Sequence, residues 1–339
     1  MNKVVLFYSS VKTKKMFSVQ KFYRTDICIL RDLGYKVKLS NSIFDYLMFW
    51  KYDIAFIYFY RYGLFPAMIA KLFSKKVIFT GGIDFLDKNY AGVKSYLIQK
   101  LFFRLCMLFS DKNIIVSNAD RANIKSFKKR LTVQRFPFSF HVIDFEKYKF
   151  DELQKKEKIL CTIAWMVKEE NVIRKGVDKA IYLFKELHNY DKDYRMFIIG
   201  PLGAGSKLIQ KIIKNEKLEN LITLTGAISE KDKINILKRS MIYAQLSSYE
   251  GFGIAAIEAL ASGNIVIHTG KGGLKDGVGN NGILIDKVNY QEIVVRIKNV
   301  LDSPKSHMQM INRGIQHVKN NFEYKKRLKD FQEILNSLT

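Results

Sequence analysis

The second half of the chain alternates short apolar runs with helical spacings so regularly that few architectures are open to it. Lys158 to Trp165 reads as a strand, Gly176 to Leu187 as a helix, and Tyr194 to Gly200 as a strand. Helix Lys207 to Lys214, strand Leu221 to Thr225, helix Glu230 to Arg239 and strand Met241 to Leu246 follow. Helix Gly253 to Ala261 and strand Asn264 to His268 complete the series. Parallel strands need long return connections, so strands that alternate with helices predict a doubly wound parallel sheet.

The first half repeats the pattern. Lys3 to Ser9 is a short buried strand, Val19 to Leu33 a helix ended by Gly34, and Tyr35 to Leu39 a second strand. Ile54 to Phe59, a helix around Ala67 to Phe73, Lys76 to Phe79 and Ile114 to Ser117 continue it. Between about 135 and 157 the alternation breaks into an irregular stretch, which sets a domain boundary at 150/151. The expectation is an α/β chain with Rossmann-like domains over 1–150 and 151–310, and a charged helical tail over 311–339.

At 339 residues and 48% hydrophobic content, each half can bury its own core. Cys28, Cys106 and Cys161 lack disulfide or zinc-ligand spacing, and the five scattered histidines assemble neither a metal site nor a Ser-His-Asp triad, so no metal and no cofactor are expected. Met1 to Ser10 carries no cleavage site, and no apolar run approaches the roughly 18 residues that would span a bilayer. A cytoplasmic location is expected.

The net charge of +25 is unevenly spread: residues 1–150 carry 27 Lys+Arg against 10 Asp+Glu, and the remainder 30 against 22. The basic first half points to an anionic partner, such as a membrane surface, a lipid phosphate or a nucleic acid; a solvated Lys-rich surface is the plainer alternative. Lys94 to Phe109 mixes large apolar side chains with Lys100 and Arg104, a spacing open to a membrane-interface helix or a core-packed one. The cluster Lys125, Lys128, Lys129 and Arg130 reads as solvated. The aromatics sit in apolar patterns and are not interleaved with Lys and Arg as a stacking platform, which argues against nucleic acid.

The segment most informative about chemistry is Met241 to Gly273, which places Glu250-Gly251-Phe252-Gly253 at the turn between a strand's carboxyl end and a helix start. Open α/β sheets bind ligands there. The two glycines allow close backbone approach, and the N–H groups of Gly253 and Ile254 open a helix N-terminus suited to a phosphate. Glu258 lies on an otherwise apolar helix stretch (IAAIEALA), where an ionised carboxylate needs partners such as ribose hydroxyls unless it faces solvent.

Glu250-Gly-Phe-Gly, Glu258-Ala-Leu-Ala and Gly263, with seven residues between the glutamates, resemble the signature of the retaining GT-B glycosyltransferases of family 4. The resemblance implies two Rossmann-like domains with parallel sheets facing a central cleft and a C-terminal helix crossing back to the N-terminal domain. It implies that Glu250 contacts hydroxyls of the transferred sugar and that Glu258 holds the ribose. Arg174-Lys175-Gly176 resembles the family's Lys-Gly element at the start of the donor domain's first helix, which makes Lys175 the diphosphate ligand. Its charge suits a leaving nucleoside diphosphate that no metal offsets. Leu224 to Ser229, with Gly226 and Ile228, resembles the element that holds the base; Gly270 to Asp276 and Asn281 to Ile285 resemble the glycine loop and closing strand. The match covers about 158–290.

The chain departs from the family pattern in places. Glu169 stands where a second basic residue is common and Trp165-Met166 where a Gly-Arg pair is common, which leaves Lys168 or Arg174 as substitutes. The loop Ser9 to Phe17 lacks paired glycines. Relatives place a histidine near the reacting carbon, whereas His141 is the only histidine before 150; Asp84 in Thr-Gly-Gly-Ile-Asp is the candidate polar group there, or else a helix cap. The resemblance implies a retaining, metal-independent transferase using a UDP-sugar, or a GDP- or dTDP-sugar, with a glycan or lipid-linked acceptor; the charge of the basic first half puts that acceptor at the inner face of the cell membrane. A sugar-nucleotide epimerase of the same fold is the alternative, and a basic nucleic-acid-binding protein the alternative from another class.

Overall fold

The computed structural model describes residues 3–128, 130–151 and 153–338; Met1, Asn2, Lys129, Glu152 and Thr339 lie outside the described residues. The chain divides into two compact units, Met1–Val142 with Tyr324–Thr339, and Ile143–Glu323. The sequence expectation set the boundary at 150/151 and the returning tail from 311. Residues 143–150 belong with the second unit because they are tied to it: the Ile143 N–H donates to Phe322 O and the Phe150 N–H to Ala261 O. The charged tail is two helices, Pro304–Asn321 and Tyr324–Asn336. They part at Phe322, a fully buried residue whose ring packs against Phe252.

The first unit is built on five parallel strands in the order β2-β1-β3-β4-β5, namely β1 (Val4–Tyr8), β2 (Lys36–Ser40), β3 (Ile54–Tyr58), β4 (Lys76–Thr80) and β5 (Lys112–Ile114). β1 and β3 are apolar throughout because both sheet faces are covered. Leu6, Ala55, Ile57 and Phe79 meet Tyr46, Ala67 and Phe103 on one face. Val5, Phe7, Phe56 and Ile78 meet Ile27, Leu30, Phe331 and Leu335 on the other. The Tyr324–Asn336 helix therefore completes the first unit's core.

The second unit holds six parallel strands in the order β11-β10-β9-β6-β7-β8: β6 (Glu157–Ile163), β7 (Arg195–Ile199), β8 (Ile222–Gly226), β9 (Ser240–Gln245), β10 (Ile265–His268) and β11 (Ile283–Leu284). The first strand in sequence lies inside, and the chain winds outward from it on both sides, so the order reverses between β6 and β9. Among the described residues no helix is long and apolar enough to cross a membrane.

Candidate functional site

Ligands of doubly wound sheets sit beyond the carboxyl ends of the strands at that reversal. Two segments meet there. After β6 the chain forms a short helix, Glu169–Lys175, stopped by Gly176, and then the helix Val177–Tyr190. After β9 it runs through Leu246 to Gly253 into the helix Ile254–Ala261. Lys175 closes the last turn of the short helix, and Gly176 both stops it and caps the start of the helix Val177–Tyr190, so the Lys-Gly pair stands at the start of that longer helix. Glu169 and Glu170 suit the short helix's positive N-terminal end and Arg174 and Lys175 its C-terminal end.

Gly176 makes the meeting possible. It holds φ +66°, and a Cβ on it would lie 2.1 Å from the carbonyl oxygen of Leu246, so no side chain fits between the two segments. The contact is then stitched by hydrogen bonds: the Ser248 N–H donates to Arg174 O at 2.8 Å, and Arg174 Nη1 donates to Tyr249 O at 3.1 Å. From the other side the Gly273 N–H donates to Glu250 O at 2.8 Å.

The Glu250 carboxylate is thereby aimed at Lys175. Lys175 Nζ lies 2.7 and 2.8 Å from its two oxygens. Ser247 Oγ donates to Oε1 at 2.6 Å and Gln245 Nε2 at 2.8 Å, while the Tyr243 hydroxyl donates to Gln245 Oε1. Glu250 is 5% exposed, so it must be partnered. Burial acts to raise its pKa, but the Lys175 charge and hydrogen bonds, the Ser247 hydroxyl and the Arg174 charge outweigh it and hold the carboxyl below its ordinary value.

The sign of that shift fixes a pH dependence. A carboxyl with a depressed folded-state pKa contributes stability above its unfolded value of about 4.3 and loses it as pH falls through the folded value. Urea unfolding of wild type and Glu250→Gln is therefore expected to show a gap at pH 7 that narrows below pH 4. A gap that stays constant or widens toward acid would remove the ion pair as its source.

Glu258 sits in a second network. It is 2% exposed, so the alternative of a solvent-facing helix residue does not apply. Lys233 Nζ donates to Oε2 at 2.8 Å, and the Tyr148 hydroxyl is shared between Glu258 Oε1 at 3.0 Å and Glu230 Oε1 at 3.1 Å. The Lys233 ammonium also lies over the Tyr148 ring. Gly226 and Ile228 lead directly into the helix Glu230–Arg239 that carries Glu230 and Lys233, so the stretch after β8 runs up to Glu258. The hydroxyl of the buried Tyr243 is pushed well above its ordinary pKa by burial first, and then by Cys161, Glu250 and Glu258.

The remaining candidates divide. Gly253, at φ +94°, caps the helix Ile254–Ala261, and Ile254 is that helix's first residue. Gly251 has open space where a side chain would stand. Phe252 is buried with its ring edge-on to Phe322, so its side chain anchors the loop. Lys168 is exposed ahead of the Glu169–Lys175 helix, whereas the Arg174 guanidinium donates to Tyr249 O and its charge helps to hold the Glu250 pKa down. Asp84 belongs to the first unit, half-buried at the start of the one-turn helix Asp84–Leu86. Asp87 caps the helix Lys88–Phe109, accepting from the Asn89 and Tyr90 N–H groups.

Six residues of these networks carry no role in the sequence analysis: Tyr148, Glu230, Lys233, Tyr243, Gln245 and Ser247. Gln245 and Ser247 were detectable as polar residues ending an apolar strand. Lys233 stands in a helix rich in charge and Tyr148 in an irregular stretch, and neither position carries a local signal.

A family model described as glycosyl transferases group 1 matches residues 144–317. The uncharacterized glycosyltransferase MJ1069 of Methanocaldococcus jannaschii is 25% identical over 266 residues, covering 75% of this chain and 65% of that protein. A phosphatidylinositol N-acetylglucosaminyltransferase subunit of Homo sapiens is 25% identical over 241 residues, covering 70% of this chain and 47% of that protein. The chain thus spans between about half and two thirds of the length of these relatives. The Anabaena HepE structure in complex with UDP and glucose superposes with a TM-score of 0.78 at 15% identity, covering 99% of this chain and 100% of that one. At that identity the likeness is one of fold, the GT-B arrangement of two Rossmann-like domains.

Proposed function

Since the chain belongs to the glycosyl transferases group 1 family, we propose that it moves a sugar from a nucleoside-diphosphate donor to a glycan or lipid-linked acceptor, with retention and without a metal. The observation that carries this reading is a buried, ionised Glu250 held against Lys175 beyond the strand-order reversal. Lys175, with Arg174 beside it, offsets the charge that develops on the departing diphosphate, together with the N–H groups of Gly253 and Ile254. Glu250 accepts hydrogen bonds from the sugar and orients it; it is not a covalent nucleophile. Glu258 accepts the ribose hydroxyls, and Gly226 and Ile228 flank the base. The acceptor hydroxyl attacks the face that the diphosphate leaves, and the donor phosphate takes its proton, so rate comes from orientation and charge stabilisation.

A UDP-sugar is the donor we favour, consistent with the UDP named for the Anabaena fold neighbour. A lipid-linked acceptor at the inner face of the membrane, in polysaccharide or glycolipid synthesis, accords with the basic first half of the chain and with the lipid named for the human relative.

The test is thermal unfolding with a panel of UDP-, GDP- and dTDP-sugars. A donor at a hundred times its Kd stabilises the fold by about 2.7 kcal/mol. Glu258→Gln is expected to shrink the donor-induced shift through an affinity loss of roughly tenfold or more, since hydrogen bonds to a charged group are worth about 1.5–3 kcal/mol. If no member of the panel shifts the wild-type transition, the donor assignment is wrong.

A further inference from the structure

The first unit carries a surface that the donor site leaves unexplained. The connections β2 to β3, β3 to β4 and β4 to β5 all run the same way across the sheet order, and right-handed crossovers put all three on one sheet face. This layer consists of the one-turn helices Ile43–Leu47 and Phe49–Lys51 and the helices Tyr60–Leu72 and Lys88–Phe109. Its inner side is core, through Tyr46, Ala67, Phe103 and Cys106.

Its outer side is apolar as well. Tyr62, Phe65, Met68 and Leu72 are exposed and fall within about a third of the circumference of their helix. Beyond a kink at Gly92, Val93, Leu97, Leu101 and Leu108 form a second exposed stripe on the neighbouring helix. Phe44 and Trp50 project from the one-turn helices. The most exposed are Leu72 at 78%, Phe44 at 76% and Leu108 at 74%. Single exposed apolar residues are ordinary, but stripes on adjacent elements mark a contact surface. The 88–109 helix packs Phe103 and Cys106 into the core and leaves the Val93, Leu97, Leu101 and Leu108 stripe exposed on its other side.

Charge selects the occupant. Residues 43–109 carry nine Lys+Arg against four Asp+Glu, and Arg61 and Arg104 stand among the exposed apolar side chains. Beside the one-turn helices a cavity of about 310 Å³ is lined by Lys14, Lys38 and Lys51 together with Leu39, Met48 and one carboxylate, Asp45. An apolar surface with arginines among its side chains and a lysine-lined cavity beside it fits the boundary between acyl chains and anionic headgroups.

We propose that this outer layer docks on an anionic lipid bilayer, its two apolar stripes entering the acyl boundary and the three-lysine cavity receiving a headgroup phosphate. This deepens the membrane location proposed above and uses no residue of the donor site.

Flotation with phosphatidylcholine vesicles, with and without phosphatidylglycerol, tests it. Wild type is expected to float with the anionic vesicles, to bind the neutral ones at least about tenfold more weakly, and to be partly released by 0.5 M salt. Phe65→Asp/Leu72→Asp and Leu97→Asp/Leu108→Asp are each expected to lower binding at least about tenfold while far-UV circular dichroism and the UDP-sugar thermal shift stay as in wild type. With Trp165→Phe, Trp50 becomes the sole tryptophan and its emission should move to the blue on binding. Absence of wild-type flotation, an unmoved Trp50 emission, or a wild-type dimer that the Asp variants dissolve overturns the proposal; the last would assign the surface to a second copy of the chain. A lost UDP-sugar shift with flotation intact would instead count against the donor reading alone.

Discussion

Lys175→Ala is expected to lower sugar transfer, followed as release of nucleoside diphosphate from the donor, by on the order of 10² to 10³, the scale of removing one preorganised group that faces developing charge. Lys175 meets Glu250 with both oxygens within 2.8 Å, at a loop junction held by Gly176 and by the Arg174 and Ser248 hydrogen bonds. Glu250→Ala removes the partner and leaves a half-buried ammonium unpaired, so it should lower transfer comparably and also destabilise the fold. Because the two side chains act as one unit, the double variant is expected to lose little more than the worse single variant. Fully additive losses would mean that the residues serve separate steps, and a near-wild-type rate from Lys175→Ala would end the diphosphate assignment.

Arg327→Met is expected to destabilise the first unit by about 3–5 kcal/mol, the range for breaking a buried ion pair on one side only. Arg327 and Asp26 are both fully buried, joined through Nε to Oδ1 at 2.7 Å and Nη2 to Oδ2 at 2.9 Å. Nη1 donates to Ser139 O at 2.6 Å and Phe140 O at 2.9 Å, the Tyr58 hydroxyl donates to Asp26 Oδ2 at 2.5 Å, and the guanidinium lies over the Phe331 ring. Burial works against the guanidinium charge, but Asp26 outweighs it and raises the Arg327 pKa; the same surroundings push His141 down to about 3, through burial and then the Arg327 charge. Met replaces the unbranched stem of Arg as far as Nε but leaves Asp26 without its cation. Urea unfolding followed through Trp50 in a Trp165→Phe background reads the first unit. Arg327→Met combined with Asp26→Leu should recover part of the loss, because an apolar pair removes both desolvated charges. A single-variant change below about 1 kcal/mol would show that the pair does not anchor the C-terminal helix.

This pair also marks where sequence reading runs out. Arg327 looks like one of many cations in a charged helix, and Asp26 like a surface residue of a helix 301 positions earlier. Nothing local distinguishes either from its neighbours, because their burial arises only when the last helix packs on the first sheet. The same holds for Lys233 and Tyr148 around Glu258: one stands in a helix whose other face is solvated, the other in a stretch without periodicity, and the second unit brings them together from three separate segments. Gln245 lies between these cases, a polar side chain in an apolar strand whose partner, Glu250, is only five residues on.

From the amino-acid order alone came the parallel α/β class, the strand and helix positions, the Glu-Gly-Phe-Gly turn with Glu258 beyond it, and Lys175 beside Gly176. Each depends on interactions within a few residues or on backbone freedom at a glycine, and such preferences are written in short windows. Only the tertiary structure decided that Lys175 faces Glu250, that Glu258 is buried on Lys233 and Tyr148, that 143–150 belong to the second unit, and that the last helix closes the first. Those outcomes depend on which distant segments exclude water from one another, and burial is a property of the packed whole.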